Sequence, residues 1–289
     1  MKRLMLLVLL PVLAVVAVVT TLLVVLRSSA SASDWSASCS GQPVAHADDA
    51  VAQRVRRTLT DTGRGPTAGI EVVDLDSCTE LVGWKSDQPF PTASVVKLLI
   101  ALDVLSDGPT NAPKDRLHQM LAASDDDIAS SFWVERGGTA IVTRMAQKLS
   151  LRDTQPPAQP GQWGSTMMSP RDVAAVYRFV TSTLDDESRK IITDALSDAN
   201  RNAADGFDQY FGIPDGMPGH SWAIKQGWGS SGPRRMLNTT GIVQSGHKYA
   251  VVVLTTWPKS IDWPTATTGL TAAVRDLDPV VAQGSGQAR

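Results

Sequence analysis

The sequence predicts an α+β fold in which the two ends of the chain build one antiparallel sheet, terminal helices pack on that sheet, and an all-helical subdomain is inserted between the ends. Two observations lead to this prediction. Strand patterns occur near both ends of the 289 residues, whereas the middle has helical periodicity. Turn residues separate neighbouring strand patterns, which favours antiparallel pairing.

The first predicted elements are a helix and a hairpin. Residues 50–59 carry valine and leucine at helical spacing, which predicts an amphipathic helix. Residues 68–75 and 81–84 have strand patterns, and the polar residues 76–80 between them predict a turn.

The middle of the chain is predicted to be helical. Its predicted helices are 94–105, 114–123, 125–135, 139–149, 169–183 and 187–198. Ser169 followed by Pro170 is typical of a helix start, because serine caps free backbone N–H groups and proline fits the first helical position. We expect the inserted helical part to span residues 93–214.

Strand patterns return near the end of the chain, before a last helix. The predicted strands are 222–225, 236–243 and 249–256, and the helix is 265–277. The α/β part therefore combines residues 50–92 with 215–282, and the whole domain spans 50–282. The polar residues 283–289 are expected to form a flexible tail.

An apolar run at residues 4–26 follows two basic residues and predicts an export signal or a membrane anchor. Its length favours an anchor, whereas the small residues 30–32 offer a cleavage site, so both possibilities stay open. Either possibility delivers the rest of the chain outside the cytoplasmic membrane, because the basic end stays inside. Residues 1–32 are assigned to this signal or anchor, and 33–49 to a tether.

The two cysteines, Cys39 and Cys78, are expected to form a disulfide, because an exported chain meets an oxidising environment. Two unrelated buried thiols are the alternative. Cys39 is a poor lipidation candidate, since residues 36–38 lack the aliphatic side chain that lipoprotein signals place before the cysteine.

Charge and histidine placement argue against several functional classes. The formal net charge is -2, with acidic and basic residues interspersed, so no nucleic-acid surface is indicated. The histidines lack the spacing of a metal-binding motif; they are His46, His118, His220 and His247. We expect no metal, no cofactor and no nucleic-acid partner.

The residues that point to chemistry begin with Ser94 and Lys97. They lie one helical turn apart at the start of an apolar helix, so the hydroxyl and the amine share a face. This arrangement suits an activated serine nucleophile. The same spacing recurs at Ser245 and Lys248, but that pair lies in a predicted turn between two strands.

Two further short motifs follow in order. Residues 124–126, Ser-Asp-Asp, lie where one predicted helix ends and the next begins, and alone they would be explained as a helix cap. Residues 225–227, Lys-Gln-Gly, lie on a predicted strand and mean little in isolation.

Together the three motifs resemble those of the serine β-lactamase and penicillin-binding protein superfamily, whose members carry Ser-x-x-Lys, then Ser-Asp-Asn, then Lys-Thr-Gly. The resemblance covers roughly residues 68–277. It implies that Ser94 is the acylated nucleophile, that Lys97 draws off its proton, and that Ser124 relays a proton to the leaving nitrogen. Lys225 would supply a positive potential for Ser124 and for a substrate carboxylate.

The resemblance also implies substrate-binding groups. Backbone N–H groups of Ser94 and Trp228 would form the oxyanion hole, and Arg234 falls where class A β-lactamases commonly place a carboxylate-binding arginine. The residues expected to contact substrate are Asp126, Gln226, Gly227, Trp228 and Arg234.

Three departures from the family pattern bear on function. Asp126 replaces an asparagine, so an acceptor stands where the family has an amide donor, and its charge would raise the pKa of Lys97. Gln226 replaces threonine or serine, which keeps a donor for a carboxylate but adds bulk. Residues 151–163 contain no glutamate, although class A enzymes hydrolyse their acyl-enzyme with one on this loop; Asp153 is the carboxylate nearby.

We therefore expect an extracytoplasmic serine hydrolase that forms an acyl-enzyme with β-lactam or acyl-D-alanyl-type amides and releases β-lactam adducts slowly. Its substrate would be a small molecule or a peptidoglycan peptide, and we expect a monomer. Membrane contact is expected only through the N-terminal segment, if uncleaved. Two alternatives stay open: a catalytically impaired binding module of the same fold that recognises cell-wall peptides or a partner, and a functional class A-like β-lactamase.

Overall fold

The structure, a computed structural model, describes residues 48–61 and 65–283. They belong to one compact unit that comprises residues 44–289. The predicted signal or anchor, the tether with Cys39 and His46, and residues 284–289 lie outside the described part. Within the described part, no helix is long and apolar enough to cross a membrane. The predicted boundaries of the tether, the helical part and the tail stay predictions.

The helices alternate in sequence with strands much as the sequence predicts. The helices are α1 (Asp49–Thr60), α2 (Lys97–Leu105), α3 (Lys114–Ala122), α4 (Asp126–Glu135), α5 (Thr139–Leu149), α6 (Pro170–Ser182), α7 (Asp186–Ser197), α8 (Ile213–Gly216), α9 (Trp263–Arg275) and α10 (Asp278–Gln283). The strands are β1 (Thr67–Asp74), β2 (Thr79–Trp84), β3 (Phe90–Pro91), β4 (Met167–Met168), β5 (Ser221–Ile224), β6 (Gly227–Ser231), β7 (Arg234–Ser245) and β8 (His247–Pro258).

One antiparallel sheet joins the two ends of the chain. Its strand order is β2-β1-β8-β7-β5, and β6 also pairs with β7. Because β8 occupies the other edge of β7, strands β5 and β6 lie end to end along one edge, separated by Lys225 and Gln226. A small second sheet pairs β3 with β4. The predicted α+β fold is confirmed, with the first and last strands paired through β1 and β8.

The sheet has a hydrophobic core on each face. On one face, Ile70, Val72 and Val251 pack with buried side chains of α1, α9 and α10. On the other face, Val252 and Leu254 pack with buried side chains of α2, α6 and α7. Neighbouring residues of β8 enter different cores because successive side chains of a strand point to opposite faces. The helical middle therefore shares its core with the sheet.

Helix α2 carries the first motif and is buried along its whole length. Its Asp103 carboxylate is fully buried and accepts from Arg136 Nε at 2.8 Å and from Arg144 Nε at 2.9 Å. A buried carboxylate without a partner costs several kcal/mol, so these two arginines are needed where they are. The three residues tie α2 to α4 and α5 and thereby fix the helix that begins at Lys97.

One strand was not predicted, for a physical reason, whereas the predicted helix cap at residues 124–126 is observed. Strand β6 is rich in glycine and serine, and it lacks the β-branched side chains by which strands are recognised. Asp125 rather than Ser124 caps α4, with its carboxylate accepting from Ile128 N at 3.0 Å. The second serine–lysine pair lies where it was predicted, in the turn at Gly246 between β7 and β8.

Candidate active site

Ser94 lies in a 3₁₀ turn, Ala93–Val96, that leads directly into α2. Two hydrogen bonds hold the residue before this turn: Thr92 N donates to Thr166 O at 2.9 Å, and Asn238 Nδ2 donates to Thr92 O at 3.1 Å. Ala93 has a left-handed backbone with φ of 46°. Such a conformation costs about 1 kcal/mol or more and persists only where its surroundings impose it. The turn thus presents Ser94 at the start of a buried helix.

Strand β6 passes close to this turn, and Gly227 permits the approach. A Cβ atom at Gly227 would lie 2.5 Å from Thr92 O, which is far inside normal contact distance. The glycine of the third motif therefore has a steric reason, and it brings Lys225 and Trp228 beside Ser94.

Lys97 is held between the second motif and the nucleophile turn. Its Nζ lies 2.6 Å from Ser124 O, 3.1 Å from Ser124 Oγ and 2.6 Å from Asp126 Oδ1. The carbonyl and the carboxylate can only accept, whereas the Ser124 hydroxyl can also donate to a neutral amine. The surroundings can therefore hold Lys97 either as an ammonium group or as a neutral amine.

Ser124 connects the two lysines of the site. Its Oγ lies 3.1 Å from Lys97 Nζ and 2.9 Å from Lys225 Nζ. The residue has a left-handed backbone with φ of 53° between α3 and α4, and Asp125 rather than Ser124 caps α4. The structure thus brings one predicted catalytic residue of each motif, Lys97, Ser124 and Lys225, together around the Ser124 hydroxyl.

Burial lowers the pKa of both lysines. At Lys97 the Asp126 carboxylate raises the pKa, as the sequence predicts, but burial outweighs it and the pKa falls below the ordinary 10.5. At Lys225, burial and the neighbouring Lys97 charge hold the pKa well below 10.5. A neutral amine is therefore reached at lower pH than in a free lysine, which is what a proton acceptor near neutral pH requires.

The backbone N–H of Trp228 points towards the open edge of the sheet. Lys225 N donates to Thr240 O across the strand pair. Hydrogen-bonded positions alternate along an antiparallel pair in the register that joins Gly227 to Asn238, so the N–H of Trp228 is directed away from β7. The N–H of Ser94 begins a helical segment, where backbone donors lack partners within the helix. Both residues line one cavity, as an oxyanion hole requires.

This cavity has a volume of about 340 Å³ and is open to solvent. The residues lining it are Ala93, Ser94, Asp126, Gly161, Gln162, Trp163, Gly164, Ser165, Trp228, Gly229, Ser230, Ser231 and Met236. Ser94 thus forms part of the cavity wall although the residue is only 5% exposed. Lys97 and Lys225 are fully buried and do not line the cavity.

Trp163 is a site residue that the sequence interpretation missed. Lys97 Nζ lies 5.1 Å from the centre of its ring, and Trp163 Nε1 donates to Ser130 Oγ at 3.2 Å. It ends the loop segment 151–163, where a class A enzyme would carry its glutamate. An aromatic ring therefore covers Lys97 on this side, and indole offers no general base. The sequence signal that could have indicated this residue was a tryptophan in a loop that lacks a glutamate.

Asp153, the carboxylate suggested as a substitute for that glutamate, lies elsewhere. Its Oδ2 accepts from Ser169 Oγ at 3.3 Å and its backbone N donates to Asp172 Oδ2 at 2.9 Å. Both contacts are at the start of α6, and Asp153 does not line the cavity. The position of Asp153 thus argues against its use as the deacylating base.

Trp228 is fixed by two residues that the sequence did not reveal. Its Nε1 donates to Asp205 Oδ2 at 2.9 Å. Its ring stacks on Phe207, with centroids 4.9 Å apart and planes inclined by 12°. One face of the indole is therefore occupied, and only the remaining surface is available to a substrate.

Gln226 does not present its side chain to the cavity, which corrects the prediction that it offers a donor to substrate. Its Nε2 donates to Gln209 O at 3.2 Å and to Phe211 O at 2.6 Å, and its Oε1 accepts from Thr240 N at 3.2 Å. The side chain is fully buried. It satisfies backbone groups of the segment before α8 and acts as a structural residue.

Arg234 also differs from the prediction. It begins β7 and pairs with Ser231 at the tip of the hairpin, whereas Thr240 is the residue opposite Lys225. Six residues of strand separate Arg234 from Thr240, or about 20 Å at the usual rise. Arg234 is therefore placed away from the third motif, and no arginine is among the described residues that line the cavity.

The histidines of the described part form pairs with carboxylates. His118 contacts Asp198 at 3.2 Å and His220 contacts Asp278 at 2.9 Å. His247 Nδ1 lies 2.9 Å from Asp74 Oδ2, and this pair raises the pKa of His247. The carboxylates of Asp74 and Asp76 and the His247 ring could hold a metal ion, because their ligand atoms lie within 4.8 Å of one another. This grouping is at the end of β1, and none of its members lines the cavity.

Comparison with known proteins places the chain in a family. A sequence model described as "Beta-lactamase enzyme family" matches residues 50–112 and 109–277. The chain belongs to this family. Two relatives, each named "Putative lipoprotein LppW", come from Mycobacterium tuberculosis and Mycobacterium bovis. Each is 36% identical over 235 residues, which are 77% of this chain and 74% of the relative.

Solved structures share the fold. A beta-lactamase from Chitinophaga pinensis matches with a TM-score of 0.65 at 15% identity, covering 80% of this chain and 99% of its own. A mutant of PBP-A, solved as an acyl-enzyme complex with penicillin G, matches with a TM-score of 0.67 at 19% identity, covering 84% of this chain and 100% of its own. The predicted superfamily and its fold are thus confirmed.

Proposed function

We propose that this protein is a serine hydrolase in which Ser94 attacks an amide carbonyl, including the strained amide of a β-lactam, and forms an acyl-enzyme. One observation carries the proposal. The Ser124 hydroxyl lies between the buried amines of Lys97 and Lys225, at 3.1 and 2.9 Å, beside a serine that opens on a cavity. Burying two amines costs folding free energy, so such a pair is unusual in a purely structural role. Amines with a lowered pKa are typical of sites that transfer protons.

The reaction uses these groups as follows. Neutral Lys97 takes the proton of the Ser94 hydroxyl while Ser94 Oγ bonds to the carbonyl carbon of the substrate. The carbonyl oxygen then becomes anionic opposite the N–H groups of Ser94 and Trp228. The C–N bond then breaks, and the leaving nitrogen receives a proton from Ser124, which is replenished from Lys97. Water later cleaves the resulting ester, which releases the acid and restores the Ser94 hydroxyl.

The second half of this reaction is expected to be slow for β-lactam adducts. Trp163 covers Lys97 at the end of the loop 151–163, which has no glutamate, and Asp153 is bound at the start of α6. Residues 151–163, all of which the structure describes, contain no other carboxylate and no histidine that could act as a general base. The long-lived adduct is what separates this proposal from a full β-lactamase.

We propose an extracytoplasmic location on the strength of the apolar run at residues 4–26 and of relatives named as lipoproteins. Cys78 lies in the turn between β1 and β2, while Cys39 is outside the described residues. We expect a Cys39–Cys78 disulfide in the mature protein. Intact mass combined with thiol titration tests it: two titratable thiols, or a mass showing lipid on Cys39, would contradict the bridge.

Intact mass over time tests the function. Full-length protein in mild detergent is incubated with benzylpenicillin, with Ser94→Ala as the control. A persistent adduct of one drug molecule, confined to wild type, is the expected result. Drug hydrolysis with only a transient adduct would instead indicate an efficient β-lactamase. A Ser94→Ala protein that kept full activity would sink the proposal.

A binding module with an impaired site is the second candidate, and the ion pair of Lys97 with Asp126 favours it. At 2.6 Å the carboxylate stabilises the ammonium form, which cannot accept the proton of Ser94. A protein that binds peptidoglycan peptides in titration calorimetry, yet neither forms an adduct nor hydrolyses an amide, would establish this candidate.

A further inference from the structure

The cavity over Ser94 has an unusual charge for a site expected to hold an anionic substrate. Among the described residues that line it, Asp126 is the one with an ionisable side chain. That side chain is 65% exposed, whereas the side chain of Lys97 is 0% exposed. A ligand in the cavity therefore meets a carboxylate first and the amines only behind it.

The two lysines of the site make their contacts with groups of the protein itself. Lys97 pairs with Asp126 at 2.6 Å, so the two charges offset each other. Lys225 is fully buried and donates to Ser124 Oγ at 2.9 Å and to Gln226 O at 3.3 Å. Burial also holds its pKa well below the ordinary value, which reduces the charge it carries near neutral pH.

Two groups that would bind a carboxylate in this site are absent from the cavity. The Gln226 amide is bonded to Gln209 O, Phe211 O and Thr240 N, so it has no hydrogen left for a ligand. Arg234 pairs with Ser231 at the hairpin tip, where Ser231 lines the cavity and Arg234 does not. What remains for a ligand is a set of hydroxyls, backbone N–H groups and aromatic rings, together with the Gln162 amide and the Asp126 carboxylate.

We propose that the site selects substrates that are neutral or cationic next to the scissile amide, and that Asp126 is the residue that disfavours a carboxylate there. The inference rests on the proposed acylation of Ser94. It narrows the substrate class to amides or esters whose leaving group lacks a free carboxylate, which differs from the acyl-D-alanyl type expected from the family resemblance. Electrostatic repulsion by the Asp126 carboxylate, which faces the cavity while the Lys97 amine is buried, supplies the discrimination.

Benzylpenicillin and its methyl ester test the proposal, because they differ only in the carboxylate. The second-order rate of adduct formation at Ser94 is measured by intact mass for both compounds, in wild type and in Asp126→Asn. Dividing the ester-to-acid ratio of wild type by that of the variant cancels the intrinsic reactivity of the compounds. We expect this quotient to be about tenfold or more, since asparagine keeps the shape and removes the charge.

A second pair of compounds tests the predicted preference for cationic substrates. Ampicillin carries an ammonium group that benzylpenicillin lacks, and wild type is expected to prefer ampicillin by a factor that falls at least threefold in Asp126→Asn. Equal ester-to-acid ratios in the two proteins, or a wild type that reacts faster with the acid, would overturn the inference while leaving acylation intact. Absence of any adduct at Ser94 in both proteins would remove the proposed function and this inference together.

Discussion

The back of the candidate site and its entrance differ in how closely they follow the family pattern. At the back, Lys97, Ser124 and Lys225 form a buried chain of hydrogen bonds, and the Ser94 turn is pinned by strand β7. At the entrance, the exposed Asp126 carboxylate replaces the asparagine of the family motif, and Trp163 covers Lys97 at the end of a loop that has no glutamate. The three buried polar groups of the family pattern are thus present, while residues at the entrance depart from it.

This difference separates chemistry from selection. Under the proposed function, the buried amines would activate Ser94 whatever the substrate is, because proton transfer depends on their pKa and their distance. The residues at the entrance would then decide which substrate binds and how fast the ester is cleaved. Predictions on each part can therefore be tested with the other part left intact.

Removing the amine at the back should have the largest effect. Lys97→Met is expected to slow acylation by benzylpenicillin about a thousandfold, because general-base catalysis contributes roughly 10²- to 10⁴-fold. Lys248→Met is the matched control, since Lys248 has the same spacing from a serine but lies on β8 beside the β7–β8 turn. Both rates are measured by intact mass. A Lys97→Met protein that reacted at the wild-type rate would assign the base elsewhere.

The second-largest effect is expected from a change that separates strand β6 from the turn that carries Ser94. Gly227→Ala would place a Cβ 2.5 Å from Thr92 O, whereas Gly229→Ala would meet only the flexible end of Met236 at 3.0 Å. We expect Gly227→Ala to lose about 2 kcal/mol of stability, as overpacking does, and to acylate about a hundredfold more slowly. Urea unfolding and adduct formation measure the two effects. If both glycine variants behaved alike, the close approach of β6 would not matter.

The Asp126 carboxylate at the entrance should affect the pKa of the buried Lys97 amine. It raises the pKa of Lys97, so Asp126→Asn should lower that pKa and increase the fraction of neutral amine at pH 7. A shift of one pKa unit would speed acylation about tenfold at neutral pH and leave the rate at high pH unchanged.

The measurement is the rate of adduct formation from pH 5 to pH 10. Its rising limb should lie below 10.5 in wild type and lower still in Asp126→Asn. Asp127→Asn, an exposed change on the same helix, should not move the limb. A limb that moved upward in Asp126→Asn would show that this carboxylate does not stabilise the ammonium form.

An effect on stability rather than on the proposed chemistry is expected where a predicted entrance residue proved structural. Gln226→Leu leaves two carbonyls and one N–H without a partner in a buried place, which should cost about 2 kcal/mol. Gln244→Leu, an exposed change on β7, should stay within about 0.5 kcal/mol. Urea unfolding compares the two. Equal midpoints would mean that the Gln226 amide does not hold the segment before α8.

Much of this protein follows from sequence periodicity and motif order. Strands at both chain ends with helices between them predict the sheet, because hydrophobic spacing reports which face of an element is buried. The three motifs identify Ser94, Lys97, Ser124 and Lys225, since a nucleophile, a base and a positive group recur in a fixed order. Hydrophobic spacing thus carried the fold prediction, and the resemblance of the motif order to a known superfamily carried the assignment of these residues.

The tertiary structure decided which of the remaining residues face the site. Gln226 and Arg234 were assigned to substrate by position in a motif, but a strand turns alternate side chains to opposite faces and its register depends on partners distant in sequence. Trp163 and Phe207 reach the site from loops whose paths no local pattern specifies. The sequence by itself thus determined the candidate reactive groups and the fold class. Only packing decided their surroundings, because burial, charge pairing and strand register are properties of the assembled chain.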